Sequence, residues 1–295
     1  MQYVDYVKST YGNPVIVFDG YSLPSVKDML HRVRNKGRLG VEITFTRDMV
    51  LNVSKDVFLL NNHNKQQFIN MLSNELVKNH CQVHHSQTDA DVVIVEKTVQ
   101  SSKEYPTALV AEDTDLLVLL LDKVTDSCQN VYMISKQSKK AKGTIWHIQQ
   151  AQSKLQPDIL TNILFIHAFT GCDTTSGIKG IGKSSLMKKI NQKNKELLEY
   201  VSVFNDMNAS KEQVTGAGEI IFLHLYGGKN VKSLNQLRFQ RFSEKISSAL
   251  TEVDASTLPP TKDSADYHSL RVFFYRYACG KIVALTCCLR GGAGR

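Results

Sequence analysis

Six aspartates that end apolar runs, or follow them closely, constrain this chain more than any other feature. They lie in the segments PVIVFDG, TDADVVIV, TALVAEDTDLLVLLL and ILFIHAFTGCD, and they are Asp19, Asp89, Asp91, Asp113, Asp115 and Asp173. A short run of Val, Ile and Leu that ends in a polar residue is typical of a buried strand whose last side chain emerges at the sheet edge. Since ligands of open α/β sheets bind beyond the carboxyl ends of the strands, we expect these carboxylates to converge on one anionic pocket.

An anionic pocket of this kind needs compensating positive charge. Hard divalent cations with oxygen ligands are its natural occupants, and two such ions can clamp the attacking and leaving oxygens of a phosphodiester. The alternative is that each Asp only caps a helix or forms a turn. Capping needs one carboxylate per helix start, so the two D-x-D doublets favour a metal site for the set.

The overall charge of the chain is opposite to that of the predicted pocket. Lys and Arg number 36 against 28 Asp and Glu, which gives a net charge of +8 over 295 residues. A basic surface around an acidic pocket suits an enzyme that grips a polyanion such as nucleic acid. The six cysteines show no C-x-x-C spacing, and without a secretory leader we expect an intracellular protein, nuclear rather than cytoplasmic. No apolar run is long enough to predict a membrane span.

Strand and helix patterns alternate along the chain. Strands are predicted at residues 14–18, 82–84, 108–111 and 131–134, and helices at 64–78, 91–99, 145–155 and 157–169. This alternation predicts an α/β fold with a doubly wound, mostly parallel sheet and helices on both faces. Beyond residue 227 the pattern weakens. Residues 254–266 are predicted to be a loop and the Gly-rich end at 291–294 to be disordered.

A second constellation, GIKGIGKSS at residues 177–185, matches the P-loop pattern G-x-x-x-x-G-K-[ST]. A P-loop glycine should directly follow a strand, whereas the apolar run at 159–169 is long enough to be a helix. We therefore favour a helix-hairpin-helix turn, in which Gly180 and Gly182 let the backbone approach a phosphate while Lys183, Lys188 and Lys189 add charge. A P-loop and a plain structural turn are the alternatives. The cluster His80, Cys81, His84 and His85 does not predict zinc, because neighbouring side chains of a strand point to opposite faces.

Four blocks of the sequence occur in the order found in the flap endonuclease type of PIN-like 5′ nucleases. They are VFDG at Asp19, DAD at residues 89–91, AEDTDLL at 111–117 and GCDTTSGIKGIGKSS from Gly171. The resemblance covers residues 13–190. With LPPT at 258–261 and HSLRV at 268–272, the chain is similar to a class of PIN-like proteins of animal genomes.

The resemblance implies a PIN-like fold with an H3TH-like helix-hairpin-helix segment, and hydrolysis of phosphodiester bonds in DNA or RNA, with DNA the expected partner and flap-like structures the expected substrates. It divides the chain into a nuclease core at 1–158 with a basic arch segment at about 21–60, a helix-hairpin-helix region at 159–226, and a partly disordered C-terminal extension at 227–295. A non-catalytic nucleic-acid-binding or assembly module and an ATPase that uses Lys183 are the competing functions.

The resemblance also implies two Mg²⁺ or Mn²⁺ ions, and K⁺ at the hairpin. The first ion would be held by Asp19, Asp89 and Asp91, and the second by Asp113, Asp115 and Asp173. Lys27 and Arg34, on one face of a helix after Asp19, would stabilise the scissile phosphate. A solvated basic helix is the alternative for that segment.

Two departures from the family pattern bear on activity. The family has Glu-x-Glu where this chain has Asp-Ala-Asp at residues 89–91. The family also begins with a strand that carries another metal-binding Asp, and residues 1–13 predict a short helix instead. Either the chain is truncated at its N-terminus or its first metal site is weakened.

Overall fold

The computed structural model describes residues 2–20, 40–87, 90–136, 143–192, 194–228, 230–248 and 252–288. The chain is α/β, as predicted, and forms two compact units, residues 1–100 and residues 101–295. Three residues of the predicted site, Lys27, Arg34 and Asp89, lie outside the described residues, as do the Gly-rich residues 291–294.

The first unit contains one parallel strand pair and the helices around it. Its elements are α1 (Gln2–Tyr11), β1 (Val15–Phe18), α2 (Lys55–Leu59), α3 (Asn62–Lys78), β2 (Gln82–His85) and α4 (Asp91–Ser102), whose last turn crosses the division between the units. Strands β1 and β2 pair in parallel, with Val15 opposite Gln82. Val4 and Val7 of α1 pack with Leu76 of α3 and with Cys81 in the core of this unit.

The second unit begins with a three-stranded sheet. Its elements are β3 (Thr107–Val110), α5 (Thr114–Lys123), β4 (Val131–Ser135), β5 (Thr144–His147) and α6 (Ile148–Ser153). Strands β3 and β4 are parallel, as predicted, and β5 is antiparallel to β4. The predicted helix at 145–155 is therefore wrong at its start, because β-branched Ile145 and aromatic Trp146 fit a strand at a sheet edge better than a helix.

The rest of the second unit is helical. Its elements are α7 (Pro157–Thr161), α8 (Ile163–Thr170), α9 (Lys183–Asn191), α10 (Lys195–Val203), α11 (Lys211–Tyr226), α12 (Leu234–Ser248), a 3₁₀ turn (Ala255–Thr257) and α13 (Lys262–Cys288). The predicted helix at 157–169 is interrupted at Asn162, whose side-chain amide donates to the carbonyl of Asp158 at 2.9 Å. The predicted loop at 254–266 instead contains the 3₁₀ turn and the start of α13. Among the described helices, none has both the length and the apolar character that a bilayer span requires.

Helix α8 lies at the centre of the second unit, and all of its residues are buried. Its Phe165 packs against Phe204, the C-cap residue of α10, and its Phe169 against Phe222 of α11, each pair with ring centroids 4.9 Å apart. Four buried aromatic rings thus form one connected group, and rings of this size bury much apolar surface. The core therefore fixes α8 and the chain segment that leaves its C-terminus.

Two glycines in α11 give a matched test of helix packing. A methyl group at Gly218 would overlap the side chain of Ser269 in α13, whereas a methyl group at Gly216 would meet no neighbour within 4 Å. We expect Gly218→Ala to lower the free energy of unfolding by about 1–3 kcal/mol through overpacking, and Gly216→Ala to raise it by about 0.5–1 kcal/mol through helix propensity. Urea denaturation of both variants measures the difference, and equal effects would show that α11 and α13 do not meet at Gly218.

Candidate functional site

Asp19 lies directly after β1, at the carboxyl end of the parallel pair. Its Oδ1 accepts a hydrogen bond from the backbone N–H of Ala90 at 3.0 Å. Gly20 follows, and a Cβ there would overlap the backbone at Ser86 and Gln87, so the close approach requires glycine. These contacts hold Asp19 beside the start of α4, whose first residue is Asp91.

Asp113 and Asp115 follow β3 in the second unit. Asp113 is the N-cap of α5, and its Oδ1 accepts from the backbone N–H of Asp115 at 2.8 Å. One oxygen of Asp113 therefore acts as a helix cap, which is the alternative role that these aspartates could have. Asp115 lies in the first turn of α5 with 17% of its side chain exposed. Both carboxylates therefore lie at the carboxyl end of a parallel strand.

Asp115 meets two residues that the sequence analysis did not single out. His167 of α8 is 1% exposed, and its Nε2 lies 3.3 Å from Oδ1 of Asp115. One ligand atom from each of Asp115, His167 and Cys172 lies within 4.8 Å of the other two. The only sequence signal was a histidine within the apolar run ILFIHAFT, five residues before a cysteine. Such a histidine is more often a packed core residue than a ligand.

The charges of this cluster are coupled. Burial opposes the charged form of His167, but the neighbouring Asp115 and Cys172 outweigh it and raise the pKa of the imidazole to about 9. Burial also opposes ionisation of Cys172, but His167 and the hydroxyls of Thr174 and Thr175 lower the pKa of the thiol to about 7. Each group thus stabilises the charged form of its neighbour.

Asp173 lies in a tight turn directly after Cys172. The backbone N–H of Cys172 donates to Oγ1 of Thr175 at 3.1 Å, and the Thr175 hydroxyl donates to the carbonyl of Ala168 at 2.6 Å. Gly171, with φ of 108°, precedes the turn, and a Cβ there would meet Cα of Gly177. The turn is therefore fixed to the end of α8. Asp173 directly follows Cys172, which lies near Asp115.

The glycine-rich segment forms a second tight turn between α8 and α9. The N–H of Ile181 donates to the carbonyl of Ile178 at 3.1 Å, and Gly180 has φ of 80°. Gly182 is the N-cap of α9. Because α8 stands where a P-loop would require a strand, the P-loop context is not met.

The lysines of this segment differ in their surroundings. Lys183 is exposed, and its Nζ donates to the carbonyl of Gly171 at 3.1 Å. Lys188 and Lys189 lie in the last turn of α9 rather than at its start, with Lys188 exposed and Lys189 half-buried. Of the three, Lys183 is therefore the one beside the N–H groups that begin α9.

A cleft of about 640 Å³ opens beside the glycine-rich turn and is lined by basic, hydroxyl and apolar side chains. Lys179 contributes Nζ, which lies 2.9 Å from Oδ2 of Asp254. Arg271 donates to Oγ of Ser176 at 3.4 Å, and Arg238 donates to the carbonyl of Pro259. Three cations thus line one cleft, and their contacts fix their side chains there.

The comparisons with known proteins give structural likenesses alone. No family model and no curated protein matches the chain. The structure of T5 D15 protein, co-crystallized with metal ions, is similar with 13% identity over 96% of this chain and 84% of that chain, at a TM-score of 0.44. The catalytic core of Rad2 in complex with DNA substrate is similar with 15% identity over 90% of this chain and 68% of that chain, at a TM-score of 0.37. At these TM-scores, neither likeness decides what this chain binds or cleaves.

Proposed function

We propose that this chain hydrolyses phosphodiester bonds of nucleic acid with the help of divalent cations. The observation that carries the proposal is that aspartates follow a parallel strand in each of the two units. Asp19 follows β1 and is bound to the backbone just before Asp91, while Asp113 and Asp115 follow β3. Carboxylates thus lie at the carboxyl ends of β1 and β3, where α/β proteins bind ligands.

The residue types fit hard cations. Carboxylate oxygens are the ligands that Mg²⁺ and Mn²⁺ prefer. The ligands proposed are Asp19, Asp89, Asp91, Asp113, Asp115 and Asp173. A carboxylate has about four lone-pair sites, so the single N–H bonds accepted by Asp19 and Asp113 leave capacity for a cation. When bound, the cations supply Lewis acidity for the attack of water on the phosphodiester.

A nucleic-acid partner is supported by the basic character of the chain and by the turn before α9. The net charge is +8, and the N-terminus of α9 offers backbone N–H groups next to Lys183, an arrangement that favours phosphate. Gly180 and Gly182 have open space where a side chain would lie, so a backbone phosphate can approach closely. Four further points stay predictions: that the partner is DNA rather than RNA, that K⁺ binds at the turn, that Lys27 and Arg34 act on the phosphate, and that the protein is nuclear.

Cleavage of a labelled 5′-flap DNA and of the matching RNA tests the proposal. We expect cleavage in Mg²⁺ or Mn²⁺, none in EDTA, and recovery when Mg²⁺ is added in excess of the chelator, because carboxylates alone do not provide the positive charge that phosphate hydrolysis needs. Gel analysis at saturating protein measures the rate without a contribution from affinity.

Two other outcomes would contradict the proposal in different ways. Cleavage that persists in EDTA would exclude a role for divalent cations. Binding of the substrate without cleavage in either metal would favour a non-catalytic nucleic-acid-binding module, the competing function.

A further inference from the structure

We propose that Asp115, His167 and Cys172 form a binding site for a transition metal ion of the zinc class, distinct in chemistry from the carboxylate ligands above. The three residues come from different parts of the second unit. Asp115 lies in the first turn of α5, His167 lies in α8, and Cys172 lies in the turn that follows α8. One ligand atom from each lies within 4.8 Å of the others.

The buried imidazole of His167 is the first independent observation for a ligand. It is 1% exposed, and within the described part of the chain neither ring nitrogen makes a hydrogen bond. The Nε2 atom lies at ion-pair distance from Asp115 without hydrogen-bond geometry. A buried polar group without a hydrogen bond is destabilising. A metal ion that displaces the imidazolium proton would give a ring nitrogen a partner.

The spacing of the ligand atoms is the second observation. A charge-assisted N–H···O bond is normally about 2.7–2.9 Å long, whereas Nε2 of His167 and Oδ1 of Asp115 are 3.3 Å apart. Two ligands of a tetrahedral zinc ion, each about 2.0–2.1 Å from the metal, are separated by about 3.3 Å. The observed spacing is thus compatible with two ligands of one tetrahedral ion.

The ligand set selects the class of metal. Imidazole nitrogen and thiolate sulfur suit Zn²⁺ and Co²⁺, and they do not suit Mg²⁺. The hydroxyl of Thr174 lies 3.3 Å from Sγ of Cys172 and can donate to it, whereas the hydroxyl of Thr175 donates to the carbonyl of Ala168. Such a contact orients a ligating sulfur from outside the coordination sphere. Three protein ligands leave a fourth position for water.

The site does not depend on the proposed nuclease function, although it shares Asp115 with it. Its other two ligands, nitrogen and sulfur, have no part in the carboxylate set. Its presence is therefore tested without Mg²⁺ and without a nucleic acid, and failure of either proposal leaves the other standing.

Cobalt(II) added to untagged, chelator-stripped protein gives a direct spectroscopic test. We expect one equivalent of Co²⁺ to produce the visible bands of a tetrahedral ion and a sulfur-to-cobalt charge-transfer band, and one equivalent of Zn²⁺ to abolish both. Cys172→Ser is expected to lose the charge-transfer band. Cys128→Ser is the matched control, because Cys128 is also half-buried but lies outside the cluster, and it is expected to keep the band.

A second measurement uses only the parent protein, so it can be made even if Cys172→Ser does not fold. It asks whether Zn²⁺ protects the Cys172 thiol from alkylation. We expect one equivalent of Zn²⁺ to slow alkylation of Cys172 by iodoacetamide by about tenfold or more, since the thiolate is the nucleophile, and to leave alkylation of Cys128 unchanged. Peptide mass spectrometry measures both rates. Absence of a charge-transfer band in the parent, the same band in Cys172→Ser, or equal alkylation of Cys172 with and without Zn²⁺ would each overturn the proposal.

Discussion

Asp115→Asn is expected to lower the rate of nucleic-acid cleavage by about two to three orders of magnitude, the usual effect of losing one group that stabilises charge in a transition state. The amide keeps the size of the carboxylate but not its charge, so binding of a cation is weakened and the negative charge beside His167 is lost. The backbone N–H of residue 115, which donates to Asp113, is unchanged, so the cap of α5 is kept. Single-turnover cleavage at saturating protein measures the rate.

The control for this variant is Asp126→Asn, since Asp126 is exposed in the turn after α5. The Asp126→Asn protein is expected to cleave like the parent. The double variant Asp113→Ala, Asp115→Ala should abolish cleavage while binding of the substrate remains. If Asp115→Asn and the double variant cleave as fast as the parent, the assignment of these carboxylates is wrong.

The strands that precede Asp19 and Asp113 could be predicted because their signals are local. A short apolar run followed by Asp is visible within a few residues, as at Val15–Phe18 and Asp19. Strand β5 was missed because the short run Thr144–His147 adjoins a helix directly, so it resembled the start of that helix. Its pairing with β4 is a tertiary contact, which a local pattern does not contain.

The contact between Asp115 and His167 could not be predicted for a related reason. The two residues are far apart in sequence, and each fits a simpler local role, a residue in the first turn of a helix and a polar residue in an apolar helix. Only the packing of α5 against α8 joins them. The sequence therefore predicted a strand before Asp113 and Asp115, but it did not indicate the imidazole and the thiol beside Asp115.

Helix α13 was missed because its buried face is not purely apolar. The buried residues share one face at helical spacing, and they are Ala265, His268, Ser269, Val272 and Cys279. His268 is used to bind the carbonyl of Phe169 at 2.9 Å, and Ser269 binds the carbonyl of Ala265. A helix that buries small and hydrogen-bonded polar residues gives a weak amphipathic pattern.

Phe169→Ala is expected to lower the free energy of unfolding of the second unit by about 3–5 kcal/mol, the range for removing a fully buried aromatic ring. Phe169 is 0% exposed, and its ring contacts Phe165, Phe204 and Phe222. A cavity in this cluster cannot be filled by a small shift of one helix, because the rings come from α8, from α11 and from the C-cap of α10. Trp146, the single tryptophan of the chain, lies in β5 of the same unit, and its fluorescence in urea reports the unfolding.

Phe239→Ala is the matched control for this substitution. Phe239 of α12 is 70% exposed, so its loss is expected to change the free energy of unfolding by less than about 0.5 kcal/mol. Equal effects of the two substitutions would show that α8 is not the centre of the unit. Since α8 carries His167 and leads directly into Cys172 and Asp173, the same aromatic packing that stabilises the unit also positions these side chains. A Phe169→Ala protein should therefore lose Zn²⁺ protection of Cys172 as urea is added, over the same concentrations at which the fluorescence of Trp146 changes.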